Sequence, residues 1–185
     1  WMYYKPAIFG VIAVIALIFG IKDYYEQSKI KTVLSMTVVN SMANDTETPE
    51  QKIKETLGYK DDPYSKVEIG VNLTTDSEMA EFDYNAQIAY MAQIQAGSID
   101  IMVMPEKLYQ TLKKNEPFAD LKELMGEEAF EKFGMQTDTT HISITDSELE
   151  QELGVIYDPV CIAVPYSAPN QENAVKWIKS LDSRK

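Results

Sequence analysis

The chain has 185 residues, 45% of them hydrophobic and 25% charged, with a formal net charge of −12. That length suits one folded unit once any non-globular segment is set aside, and the acidity argues against nucleic acid as a partner, because such a surface repels a phosphate backbone. The only cysteine, Cys161, excludes an internal disulfide framework, and the only histidine, His141, excludes a multi-histidine metal centre.

The charge is unevenly placed. Residues 1–31 hold Lys5, Lys22, Lys29 and Lys31 against Asp23 and Glu26, which leaves 13 basic and 27 acidic residues to the rest. Within that first stretch, the sixteen residues 6–21 carry no charge and are nearly all aliphatic, Phe or Gly. A membrane-crossing helix needs about 17–25 such residues, a length reached if the flanking aromatics Trp1, Tyr3, Tyr4, Tyr24 and Tyr25 serve as interfacial belts. The polar Lys22-Asp23-Tyr24-Tyr25-Glu26 offers no small-residue cleavage site, so the segment reads as an anchor and not as a removed signal. Gly10, Ala13, Ala16 and Gly20 share one side of that helix and would permit close helix contact. The expected organisation is a transmembrane anchor over 1–22, a juxtamembrane linker over 23–31 and an α/β domain over 32–185.

In chain order, residues 32–40 are rich in Val, Thr, Leu and Met and predict a buried strand. Turn residues follow, then Pro49 at the first position of a helix with Ile53 and Leu57 on one face, ending at Gly58. Residues 66–73 alternate, with Val67, Ile69, Val71 and Leu73 on one face of a second strand. Asp76 or Ser77 then caps a long helix carrying Met79, Phe82, Ala86, Ala89, Tyr90 and Ile94, with Gly97 at its end. Residues 99–104 form a third strand closed by Pro105, followed by helices over 107–113 and 121–133. A weaker strand over 139–144, a short helix over 147–153, a strand over 160–164 and a helix over 171–181 complete the chain. The last helix directs Ala174, Val175, Ile178 and Leu181 inward. Strands alternating with helices imply one mainly parallel sheet with helices on both faces.

The order of these elements resembles the first lobe of the class II periplasmic solute-binding proteins of ABC transporters. The likeness rests on the opening strand over 33–40 and the strand over 67–73. It continues through Gln95-Ala96-Gly97-Ser98-Ile99-Asp100-Ile101-Met102-Val103-Met104, Phe118-Ala119-Asp120-Leu121, and the returning strand with Asn170-Gln171-Glu172-Asn173-Ala174. It implies a single-lobe, membrane-anchored variant of an extracytoplasmic solute-binding protein. Family members have two lobes, and here residues 134–159 stand where the second would be inserted, too few to form one.

In an open parallel sheet, ligands sit beyond the carboxyl ends of the strands. That rule selects Asn40, Ser41, Thr74, Thr75, Asp76, Pro105, Glu106, Tyr166 and Ser167 as candidate ligand- or partner-binding residues. All are also ordinary turn and cap residues, and a single lobe covers little of a small ligand, so any solute binding is expected to be weak. Cys161 reads as a packed structural thiol in a buried strand. His141 reads as a partly exposed strand residue. Asp138, His141 and Ser143 lie within six residues of one another, and no Gly-x-Ser-x-Gly elbow, phosphate loop, dinucleotide fingerprint or calcium loop accompanies them. The sequence therefore predicts no catalytic set, no metal site and no cofactor. It predicts a tethered, non-enzymatic recognition or accessory domain at the cell membrane, outside the cytoplasm, with a membrane-protein partner. Weak small-solute binding and an unrecognised hydrolase are the alternatives.

Overall fold

The structure, a computed structural model, describes residues 17–22, 24–25, 27–134 and 137–181. The elements are β1 (Lys31–Val39), α1 (Glu47–Thr56), β2 (Ser65–Leu73), α2 (Tyr84–Gln95), β3 (Ile101–Pro105) and α3 (Glu106–Leu112). They continue as α4 (Leu121–Met125), α5 (Glu127–Glu131), β4 (His141–Ile144), α6 (Ser147–Leu153), β5 (Val160–Ala163) and α7 (Gln171–Leu181). A helical segment containing residues 17–22 precedes β1. Among the described residues no helix is long and apolar enough to cross a membrane. Most of the anchor predicted over 1–22, with Gly10, Ala13 and Ala16 of its small-residue face, lies outside the described residues.

The sheet has five strands in the order β2-β1-β3-β5-β4. β1 pairs in parallel with both β2 and β3, whereas β5 is antiparallel to both β3 and β4. The sheet is thus mostly parallel, with one reversed strand that periodicity alone does not reveal. Alternation sorts its side chains into two cores. Leu34, Met36 and Val38 of β1, Ile101 and Val103 of β3, and Val160 and Ile162 of β5 face one side. There they meet Ile53 and Leu57 of the α1 region and Ala174, Val175, Trp177, Ile178 and Leu181 of α7. Val39, Met102, Met104, Cys161 and Ala163 face the other side, covered by Ala86 and Tyr90 of α2 and Leu108 and Tyr109 of α3. Complete burial of one such aliphatic side chain contributes about 1.5–3 kcal/mol, so β1 and β3, covered on both faces, anchor the fold.

Residues 137–159 complete the same unit. Ile142, Ile144, Leu149, Leu153, Val155 and Tyr157 all join the first core, so among the described residues no second core arises where the resemblance would place another lobe.

Several local expectations are corrected. α1 begins at Glu47, so Pro49 is its third residue and not its first. The long helix expected from Asp76 starts at Tyr84, because Asp83 caps it by accepting from the Ala86 N–H at 2.9 Å. Asp76 instead closes a loop, accepting from the Ala80 N–H at 3.0 Å. The helix expected over 121–133 is two short ones, broken at Gly126, where φ is 86° and ψ is 149°. A register shift between the partners of Thr37 and Val39 adds a residue to β2. Leu73 consequently packs in the second core while Val67 and Ile69 pack in the first.

Candidate functional site

The nine strand-end candidates do not form one site. Asn40 and Thr75 join: Asn40 donates from Nδ2 to Thr75 Oγ1 at 2.7 Å and accepts from the Thr75 N–H at 2.9 Å. Ser41 donates to the Leu153 carbonyl at 2.6 Å. Thr74 bonds the Asp83 cap, and Asp76 closes its own loop. These five tie loops together at the carboxyl ends of β1 and β2. Pro105 is buried at the end of β3, and Glu106 turns toward β4 and β5. Tyr166 and Ser167 emerge at the opposite edge, because the antiparallel β5 delivers the chain to the amino ends of β1 and β3. There Asp100, fully buried, accepts from the backbone N–H groups of Ser35 and Asn170, each at 2.7 Å.

The strand order reverses direction between β1 and β3, so the crevice beyond Val39 and Pro105 is the switch point where such folds hold ligands. Here a side chain fills it. Tyr157, from the segment between α6 and β5, places its hydroxyl 2.9 Å from the Val39 carbonyl and 3.2 Å from the Val103 carbonyl, donating between them. The phenol is buried, which pushes its ionisation well above the usual range and keeps the donor proton in place.

Two other features stand out. The first is a polar recess under α3. Period-two alternation turns His141 and Ser143 of β4 to one face and Ile142 and Ile144 to the other, and β5 pairs so that Ser143 faces Cys161. α3 begins at Glu106 directly after β3 and brings that carboxylate over the same patch. His141 Nε2 lies 3.4 Å from Glu106 Oε2, and its Nδ1 lies 3.6 Å from Asp138 Oδ2. Ser143 donates to Glu106 Oε2 at 2.8 Å, and Gln110 donates to Oε1 at 2.6 Å. The Tyr109 ring packs 4.2 Å from the imidazole, centre to centre, and its hydroxyl donates to Asp138 at 2.7 Å. Lys113 reaches the same carboxylate at 2.8 Å.

Electrostatics in the recess follow from these contacts. Burial alone would raise the Glu106 carboxyl, but hydrogen bonds from Gln110 and Ser143, with the His141 imidazole beside it, outweigh burial and hold it below the usual range. Asp138 is likewise held low, because donors on Lys113, Thr140 and Tyr109 overcome its desolvation. The Cys161 thiol is pushed far up, first by burial and then by the negative charge of Glu106. His141 is 7% exposed, so the expectation of a partly exposed histidine is corrected, while Cys161 is the buried thiol its strand predicted. Glu106 is among the residues the sequence selects; its partners are not, although the alternation of His141 and Ser143 with two isoleucines signals a polar stripe facing a covered surface.

The second feature is a groove of about 360 Å³ between α2 and α3, lined by Phe82, Tyr90, Met91, Leu108, Leu112 and Glu116. A smaller cavity of about 190 Å³ adjoins it through Tyr90 and Glu116 and reaches Tyr166 and Ser167. The Tyr90 hydroxyl, on a residue 3% exposed, has no hydrogen-bond partner among the described residues.

No family model, curated protein or solved structure matches this chain. Its class is that of a mixed α/β domain built on a five-stranded, mostly parallel sheet.

Proposed function

We propose that the chain is a membrane-tethered recognition or accessory domain without enzymatic activity, with its α/β unit outside the cytoplasm and another membrane protein, such as a transporter, as partner. The observation that carries this reading is the apolar surface of the segment preceding the domain. Leu17, Ile18, Phe19 and Ile21 are each exposed by 60% or more, and Tyr24 and Tyr25 follow at 78% and 62%. A contiguous apolar run exposed to this degree, with no other described residue covering it, requires other cover, and the uncharged sequence of residues 6–21 makes a bilayer the fitting one. The resemblance to solute-binding proteins supports the extracytoplasmic side. Enclosure of Cys161 and His141 leaves them poorly placed to attack a substrate, which favours recognition over catalysis.

The test is alkaline carbonate extraction of membranes from cells expressing the full chain, followed by protease treatment of intact cells. The expected result is retention in the membrane pellet, release into the supernatant when residues 1–22 are deleted, and digestion of the domain from outside. A full chain that washes off, or a domain protected until the cells are opened, overturns the reading.

A specific observation favours a second reading, weak small-solute binding. Tyr90, whose buried hydroxyl has no partner among the described residues, lines a mixed polar and apolar groove that Glu81 and Glu116 also line, which suits a small molecule with an apolar body and a cationic group. A thermal shift with apolar amines that vanishes in Tyr90→Phe supports it, and no shift across such a series removes it.

A further inference from the structure

We infer that Glu106, His141 and Cys161 form a three-ligand site for one divalent ion of the zinc type. This stands apart from the tethering proposal. The donor atoms of the three residues all lie within 4.8 Å of one another. Tetrahedral zinc with bonds of about 2.0–2.3 Å has ligand-to-ligand edges of about 3.4–3.7 Å. The Nε2-to-Oε2 distance of 3.4 Å is already such an edge. Closing the Glu106-to-Cys161 edge takes a contraction of at most about 1.5 Å, within reach of a rotation of Glu106, whose side chain is 33% exposed. The His141-to-Cys161 edge, within the same 4.8 Å limit, closes by side-chain torsions of those two residues.

The surroundings are those of a supported ligand set. Gln110 and Ser143 hold the two oxygens of Glu106. Behind the imidazole, Asp138 sits 3.6 Å from Nδ1 and is itself fixed by Tyr109, Lys113 and Thr140. A shift of about 0.6–0.8 Å brings that carboxylate to hydrogen-bond distance, where it orients a ligating histidine and strengthens its outer nitrogen as a donor. One nitrogen, one sulfur and one oxygen select a borderline-soft ion over magnesium or calcium, which take oxygen ligands. Charge also balances. The ion replaces the proton of the Cys161 thiol, which leaves to solvent past the exposed side of Glu106. One thiolate and one carboxylate then neutralise the two positive charges in a buried place.

The chain suits a clean test because it holds one cysteine and one histidine. Untagged full-length protein in mild detergent, stripped with a chelator, is titrated with Co²⁺. The expected result is a near-ultraviolet thiolate-to-cobalt band with tetrahedral d–d absorption, saturating at one equivalent and abolished by stoichiometric Zn²⁺. Cys161→Ser removes the near-ultraviolet band. His141→Gln and Glu106→Gln each weaken binding at least tenfold, and Asp138→Asn weakens it by about tenfold through the histidine. Folded wild-type protein that shows no sulfur-to-cobalt band at excess Co²⁺, or an affinity unchanged by both Glu106→Gln and His141→Gln, overturns the assignment. The wild-type spectrum and the variant at Glu106, one-third exposed, keep the test decisive even if the buried Cys161 variant fails to fold.

Discussion

Replacing Tyr157 dissects the plug at the switch point. Tyr157→Phe keeps the ring in place and removes only the donor that bridges the Val39 and Val103 carbonyls. A net hydrogen bond is worth about 1 kcal/mol, and a carbonyl left buried without its donor adds to that, so the loss should be about 1–2 kcal/mol. Tyr157→Ala also removes a ring packed in the first core, which raises the total to about 4–5 kcal/mol by analogy with large aromatic truncations. Urea unfolding at constant pH, followed through the buried Trp177, reads both. With a urea slope of about 2 kcal/mol per molar, the phenylalanine variant should move the midpoint down by about 0.5–1 M. Because burial keeps the phenol protonated, the difference between wild type and Tyr157→Phe should be the same at pH 6 and pH 9. A phenylalanine variant as stable as wild type would refute the claim that the hydroxyl ties β1 to β3. An alanine variant no worse than phenylalanine would refute the claim that the ring fills the crevice.

Other outcomes follow from the same geometry. Asp100→Ala strands the N–H groups of Ser35 and Asn170, which both donate to it at 2.7 Å, and should lower unfolding stability by about 3–5 kcal/mol, with Asp100→Asn intermediate because one amide oxygen serves only one of them. Gly154 and Gly97 have nearly equal positive φ, 64° and 60°, but a Cβ at Gly154 would lie 2.4 Å from the Ala43 backbone nitrogen, whereas one at Gly97 meets nothing closer than 3.9 Å. Gly97→Ala should therefore cost about 1–2 kcal/mol and Gly154→Ala about 1–3 kcal/mol more, read as a difference in thermal midpoint. Asp120 caps α4 through the Glu123 N–H and accepts from Thr139, and these bonds hold its carboxyl below the usual range. A depressed carboxyl contributes stability that is complete above its unfolded value near pH 4 and is lost as pH falls through the folded one. Stability of the wild type should thus fall more steeply below pH 4 than that of Asp120→Asn, which keeps a cap without a titrating proton.

Much of the architecture was legible in the chain. The apolar alternation of residues 66–71, the burial of residues 160–163 and the helix over 171–181 appear in the fold as the residues predict. These are local signals, since a run of apolar residues declares its own period. Starts of helices were less legible, because Asp76 and Asp83 are equally good caps in sequence and only the pairing of Thr75 with Phe82 decides which one is used. Of the candidate site, Glu106 was found by its place after a strand. His141 and Cys161 were found as residues but not as neighbours.

The sequence by itself determined that this is one α/β unit behind an uncharged apolar segment, with an acidic surface and a single histidine and a single cysteine to work with. Only the tertiary structure decided that β5 runs against its neighbours, which sends Tyr166 and Ser167 to the far edge and sets Cys161 opposite Ser143. The physical reason is that strand direction and register are settled by pairing across the sheet. Residues such as His141 and Cys161, twenty positions apart, carry no mark of that pairing in their own neighbourhoods.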